Sequence, residues 1–274
     1  MPHATVNGVD LFYTDQGSGP PVVFQHGYTS SQDCWHGVIP RLADRYRCIA
    51  LDARGAGQSA HPAGGYTVAQ YARDVVGLAD ALGLATFTYV GLSMGGTIGF
   101  ELGLSHASRL EKLVLVAPAP ADGIQAPPEM HEHSRSLRQA GAREQMLRER
   151  ILTSGRPDPE YLARAVDASL SCSTGHFEDS WESLRGLRLG GRLHEITTPT
   201  LVVAGAADGL LPANLADFQR LGNATLHVFS RVGHGIPYEV PAGLSRVLAD
   251  FLGHGVVTAR TLQARLREEQ AANP

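Results

Sequence analysis

The sequence predicts an α/β fold, a mostly parallel eight-stranded sheet flanked by helices, with a helical segment inserted into it. Short apolar runs typical of strands alternate along the chain with stretches of helical periodicity, which is the pattern of parallel strands covered on both faces. Asn7-Gly8 joins the first two runs and favours a tight antiparallel hairpin at one edge of the sheet. Residues 118–196 interrupt the alternation, first with prolines and then with short helical stretches.

The eight predicted strands are short, and most of them are apolar. They span Ala4–Val6, Val9–Tyr13, Pro21–Phe24, Arg47–Leu51, Phe87–Val90, Leu113–Ala117, Thr200–Ala204 and Thr225–Phe229. Among the predicted helices, Val68–Leu82 has the clearest apolar face at helical spacing, and Gly83 follows it as a stop signal. Further helices are predicted over Cys34–Leu42, Gly95–Leu104 and Leu244–Leu252.

These elements divide the chain into two predicted parts. Residues 1–117 and 197–274 form the core, and residues 118–196 form a helical insertion that we expect to cover one edge of the sheet as a lid. The polar tail, residues 254–274, is rich in Arg and Glu and is predicted to be a surface helix.

Composition and charge exclude several classes of protein. The chain has 274 residues, of which 43% are hydrophobic and 18% charged, so it can bury a core and does not resemble a disordered protein. Its net charge of −4, without a basic block, argues against binding to nucleic acid. Three widely spaced cysteines argue against a disulfide framework or a structural zinc site. Neither a secretory signal nor a membrane-spanning run is visible, so a cytoplasmic protein without a membrane partner is expected.

The segment Gly91-Leu92-Ser93-Met94-Gly95 matches the pattern G-x-S-x-G. The pattern alone is common by chance in a glycine-rich chain, so its setting decides what it means. Here it follows a predicted strand and opens a predicted helix, which is the setting of a strained turn that lifts a serine hydroxyl above the sheet. Ser93 is therefore the candidate nucleophile.

A serine hydroxyl needs a base and a third group that orients the base. Asp208 follows the predicted strand Thr200–Ala204, and His234 follows the predicted strand Thr225–Phe229. Both lie beyond the carboxyl ends of parallel strands, where open α/β sheets place their sites. The order serine, acid, histidine along the chain also fits this type of sheet. The sequence therefore predicts Asp208 as the acid and His234 as the base.

Acyl transfer also needs hydrogen-bond donors at the position where the oxyanion develops. The backbone N–H of Met94, at the start of a predicted helix, is the first candidate. The second is the backbone N–H of Tyr28, in the loop after the strand Pro21–Phe24.

Five motifs occur together in this chain: His26-Gly27, Asp52-x-Arg54-Gly55-x-Gly57-x-Ser59, Gly91-x-Ser93-x-Gly95-Gly96, Asp208 and Gly233-His234. With this combination the chain resembles the α/β-hydrolase superfamily. The resemblance covers about residues 4–117 and 197–252, and it implies a helical lid for 118–196. The branch it is most similar to is the small esterases, lactonases and perhydrolases. A serine at position 93 instead of aspartate disfavours the haloalkane dehalogenase and epoxide hydrolase branches.

Several other residues are weaker candidates. Asp122 could replace Asp208 as the acid, and His26 could act as a base, although bracing its own loop is the favoured role. His131-Glu132-His133 could be part of a metal site, but without a third ligand a solvated helix is favoured and no metal is expected. Candidates for lining the substrate pocket are Trp35, Trp181 and Phe177.

The residues together predict a serine hydrolase that needs no cofactor and cleaves a small carboxylic ester or lactone, a small-molecule substrate. Two alternatives stay open. The same three side chains could serve a perhydrolase or a carbon–carbon bond hydrolase. A ligand-binding receptor built on a hydrolase scaffold is a third interpretation, and it predicts slow or single turnover. The oligomeric state and the acyl and alcohol groups of the substrate are not predicted.

Overall fold

The computed structural model describes residues 2–272, and within them the strands form one eight-stranded sheet. The strands are β1 (His3–Val6), β2 (Val9–Gln16), β3 (Pro21–Gln25), β4 (Arg47–Leu51), β5 (Phe87–Leu92), β6 (Leu110–Val116), β7 (Thr200–Gly205) and β8 (Ala224–Phe229). Their order is β1-β2-β4-β3-β5-β6-β7-β8. The pairs β1/β2 and β2/β4 are antiparallel, and every other pair is parallel. The predicted fold class is confirmed.

Helices cover both faces of this sheet. In chain order they are α1 (Val68–Ala81), α2 (Met94–Ser105), α3 (Pro128–Gln139), α4 (Arg143–Thr153), α5 (Pro159–Ser171), α6 (Thr174–Arg185), α7 (Leu211–Arg220), α8 (Ile236–Glu239), α9 (Pro241–His254) and α10 (Ala259–Ala272). Successive residues of β3 point to opposite faces of the sheet. Val23 packs in the cluster with α1 and α2, whereas Val22 and Phe24 pack in the cluster with α9. The central strand β5 is buried at every residue. The core therefore lies in two layers, one on each side of the sheet.

The predicted helix over Cys34–Leu42 is wrong. The structure has two short 3₁₀ segments there, Gln32–Trp35 and Ile39–Arg41. Pro40 has no N–H to continue a helical ladder, and a Cβ at Gly37 would lie 2.9 Å from the side chain of Pro241. The chain therefore turns tightly under α9 instead of forming a regular helix.

The segment between β6 and β7 contains α3, α4, α5 and α6. Part of it has a small hydrophobic cluster of its own, made of Leu137, Met146 and Val166. The predicted surface helix of the tail is α10, on which Leu262 and Leu266 are exposed, while Asn273 and Pro274 lie outside the described residues. No helix in residues 2–272 combines the length and the apolarity needed to cross a membrane.

Candidate active site

Ser93 lies in a strained turn between β5 and α2. Its backbone has φ 55° and ψ −114°, a conformation that a residue with a side chain rarely adopts, and its N–H donates to Val116 O at 2.9 Å. The turn is possible only because its neighbours lack side chains. A Cβ on Gly91 would lie 2.1 Å from Gly95 O, and a Cβ on Gly95 would lie 2.5 Å from Gln25 O. The two motif glycines thus let the turn pack tightly against β3 and α2.

Asp208 and His234, predicted from separate strand ends, lie together in the structure. His234 Nδ1 donates to Asp208 Oδ2 at 2.8 Å. The carboxylate is almost fully buried, with 4% of its side chain exposed, whereas the imidazole is 44% exposed. The hydrogen bond to Asp208 fixes the tautomer and leaves Nε2 of His234 as the free ring nitrogen.

Asp208 keeps its charge despite this burial. Burial raises the pKa of the carboxyl group, but the hydrogen bond from His234, the His234 charge and the N–H of Leu210 outweigh it and leave the pKa below its usual value. An ionised Asp208 can hold His234 in one orientation and can stabilise the imidazolium that forms when the ring takes a proton.

The two predicted oxyanion donors lie near Ser93. Met94 is the first residue of α2, where backbone N–H groups have no helical acceptor. The loop with Tyr28 passes close to Ser93, because a Cβ on Gly27 would lie 3.1 Å from Ser93 Cβ. Within residues 2–272, the N–H groups of Tyr28 and Met94 donate to no protein acceptor.

A cavity of about 480 Å³ opens next to Ser93, between the sheet edge and helices α3, α4 and α6. Ser93 and His234 both line it, and so do Phe177 and Trp181, two of the predicted pocket residues. Most of the wall is apolar, including residues Ile124, Met130, Leu137, Met146, Leu184 and Leu210. A concave and mainly apolar cavity of this size is typical of small-molecule sites.

The pocket prediction needs correction at Trp35. This side chain is fully buried, and its ring lies 5.3 Å from that of Phe24 in the core layer under α9. Because the 3₁₀ turn of Gln32–Trp35 directs it into the core, Trp35 is absent from the described cavity wall.

The weaker candidates have structural roles. His26 is fully buried; its Nε2 accepts from Ala53 N at 2.9 Å and its Nδ1 donates to Gly27 O at 2.7 Å, so it joins two loops. Asp122 pairs with Arg220 at 2.6 Å and accepts from Gly190 N. Within the described part of the chain, no three His, Cys, Asp or Glu side chains gather as a metal site.

The sequence did not point to His176, and it placed His131 in the wrong environment. His176 is fully buried on α6; its ring stacks on Tyr28, and its Nε2 accepts from Thr29 N at 3.4 Å. Burial lowers the pKa of His176 to about 3, so the ring stays neutral and can accept that hydrogen bond. His131, expected on a solvated helix, is instead buried and lines the cavity. No local motif marks His176, and the motif that contains His131 does not show that its side chain is buried.

Comparison with known proteins identifies the family to which this fold belongs. A family model described as the alpha/beta hydrolase fold matches residues 20–241. A non-heme haloperoxidase of Rhodococcus erythropolis is 30% identical over 267 residues, which cover 86% of this chain and 93% of the relative. A 2-hydroxy-6-oxononadienedioate/2-hydroxy-6-oxononatrienedioate hydrolase of Dechloromonas aromatica is 31% identical over 267 residues, which cover 90% of this chain and 91% of the relative. A solved structure described as an N-acyl homoserine lactone degrading enzyme has a TM-score of 0.80 at 30% identity, covering 91% of this chain and 100% of that one.

The chain therefore belongs to the α/β-hydrolase superfamily. It is an enzyme of the α/β-hydrolase type, since the matching family model describes the alpha/beta hydrolase fold and the relatives are named as enzymes.

Proposed function

We propose that the protein is a serine hydrolase that cleaves a small, largely apolar carboxylic ester or lactone through an acyl-enzyme on Ser93. The observation that carries the proposal is that Ser93, held on a strained turn, shares one cavity with His234, whose Nδ1 bonds to Asp208 at 2.8 Å. The mainly apolar wall of that cavity supports a substrate with an apolar body.

The proposed reaction follows from these positions. His234 Nε2 takes the proton of the Ser93 hydroxyl while Ser93 Oγ attacks the carbonyl carbon. The oxygen that becomes negative accepts hydrogen bonds from the N–H groups of Tyr28 and Met94. The imidazolium, stabilised by Asp208, then gives its proton to the leaving alcohol oxygen. A water molecule, deprotonated by His234, attacks the acyl-enzyme and releases the acid and a regenerated Ser93.

We further propose that residues 118–196 act as a lid. The support is that α3, α4 and α6 of this segment contribute much of the cavity wall, including Leu137, Met146 and Phe177. A lid of this kind excludes water from the acyl group and sets the size of the substrate that fits.

The decisive test is turnover of aryl esters and lactones of varied chain length by the wild-type protein and by Ser93→Ala. The variant removes the nucleophile, so kcat should fall by about 10⁴-fold or more while the fold is retained. Multiple rapid turnovers by the wild type would also exclude the receptor interpretation. If Ser93→Ala keeps the wild-type rate, the assignment is wrong.

A second candidate is a perhydrolase or a carbon–carbon bond hydrolase that uses the same three side chains. The relatives named as a non-heme haloperoxidase and as a 2-hydroxy-6-oxononadienedioate hydrolase favour it. Product analysis separates the reactions: incubation with acetate and hydrogen peroxide tests for peracid, and incubation with a dienoate tests for carbon–carbon cleavage.

A further inference from the structure

His131 occupies an unusual place in the cavity wall. It lies on α3 with 7% of its surface exposed, and its ring stacks on Phe177 and on Trp181 at centroid distances of 4.6 and 4.8 Å. The planes are nearly parallel, at 17° and 4°. The ring therefore has a fixed position, and all three side chains line the cavity that contains Ser93.

Glu178 fixes which nitrogen of His131 carries the proton. His131 Nε2 lies 3.0 Å from Glu178 Oε2, and Arg135 donates two hydrogen bonds of 2.7 Å to the same carboxylate. The hydrogen bonds from Arg135, helped by the one from His131, lower the pKa of Glu178 to about 2 against the effect of burial, so the carboxylate is ionised. An ionised carboxylate can only accept, and therefore Nε2 must be the donor.

The other ring nitrogen is Nδ1. In the neutral imidazole whose Nε2 donates to Glu178, Nδ1 carries the lone pair and is the acceptor. Within residues 2–272, Nδ1 of His131 has no hydrogen-bond partner. A residue with an unpartnered ring nitrogen thus lines a mostly apolar cavity.

We propose that His131 is a specificity-determining residue whose Nδ1 accepts a hydrogen bond from the substrate, so that the preferred ester or lactone carries a hydroxyl or amide N–H group. The inference rests on the proposed function and names its substrate class. A substrate that fills the cavity displaces water from Nδ1. A donor on the substrate restores the lost hydrogen bond, whereas a purely apolar chain leaves the acceptor unsatisfied and binds less well.

The test compares aryl hexanoate with aryl hexanoates that carry a hydroxyl at the second, third or last carbon. For at least one position, kcat/KM of the wild type should exceed that of the plain ester by about tenfold, the effect of one well-placed hydrogen bond. His131→Phe keeps a ring that can stack on Phe177 and Trp181 but removes both nitrogens, so the ratio should fall to about one. His133→Phe is the matched control, since His133 lies on the same helix and is 53% exposed outside the cavity wall; it should keep the wild-type ratio.

Absence of any preference in the wild type, or a preference that survives in His131→Phe, would overturn the inference. Calorimetric titration with the free hydroxy acids and with hexanoate measures the same preference as a difference in Kd without turnover. A preference in Kd that depends on His131, together with an active Ser93→Ala, would mean that the proposed function fails and the inference stands. No preference, together with an inactive Ser93→Ala, would mean that the inference fails and the proposed function stands. If His131→Phe does not fold, ¹⁵N NMR of wild-type His131 decides, because Nδ1 must resonate as an acceptor and shift when the hydroxy acid binds.

Discussion

At Asp208, the hydrogen bond to His234 links the charge of a buried carboxylate to the orientation of an imidazole. The carboxylate is 4% exposed, and without His234 and the N–H of Leu210 its burial would favour the neutral acid. His234 thus helps to keep Asp208 ionised, and the ionised Asp208 in turn fixes the orientation of the imidazole that would act as the base.

Replacement of Asp208 by Asn tests this contact. The amide has nearly the same shape, but it cannot stabilise an imidazolium and it favours the wrong tautomer of His234. We expect kcat to fall by about 10⁴-fold with little change in the unfolding midpoint, measured by ester hydrolysis and urea unfolding.

Asp122→Asn is the control for that experiment, because Asp122 is the alternative acid that the sequence offers and lies instead in an ion pair with Arg220. This variant should keep wild-type turnover. Loss of activity in Asp122→Asn with retention in Asp208→Asn would reverse the assignment of the acid.

The burial of His131 could not be predicted from its local sequence. In His131-Glu132-His133, neighbouring helical positions point in different directions, and the local sequence does not say which direction faces the protein. The packing of α3 against Phe177 and Trp181 of α6 buries His131, while His133 stays exposed beside Glu149. The difference between the two histidines is therefore a tertiary effect.

Among the elements, the loop after β4 is tied to α1 by a buried ion pair. Arg54 donates to both carboxylate oxygens of Asp74 at 2.6 and 2.7 Å, and the two side chains are 5% and 3% exposed. This pair holds the loop against which the inserted segment packs, since Ser173 N donates to Gly55 O at 2.7 Å. The ion pair thus supports the attachment of α6 to the core.

Asp74→Asn should destabilise the protein strongly, because it leaves the Arg54 charge buried without a counter-charge. We expect the free energy of unfolding in urea to fall by about 3 kcal/mol. Asp80→Asn, on the same helix, removes an exposed carboxylate that pairs with Arg109 and should cost less than about 1 kcal/mol. An equal decrease in the free energy of unfolding in the two variants would show that the buried ion pair contributes no more to stability than the exposed one.

Over the whole molecule, stability is expected to differ between the sheet and the inserted segment. The strand β5 is buried at every residue, whereas α4 buries only Met146 among its residues and packs in the small cluster with Leu137 and Val166. Segments with few buried apolar contacts open locally at a lower free energy than the core.

Amide hydrogen exchange followed by mass spectrometry tests this difference. Peptides from α3 and α4 should exchange through local opening and lose protection well before peptides from β5 and α2. Equal protection of the two regions would mean that the inserted segment unfolds only together with the sheet.

The sequence by itself determined the fold class, the strand set and the three side chains of the candidate site. Their signals are local: apolar runs mark buried strands, glycines at 91 and 95 permit one strained turn, and polar residues at strand ends meet at the same edge of a parallel sheet. The tertiary structure alone decided that Trp35 packs in the core and that His131 and His176 are buried. These outcomes depend on contacts with residues that are distant in the sequence. The packing of α6 and α9 sets these contacts, and neighbours in the chain do not.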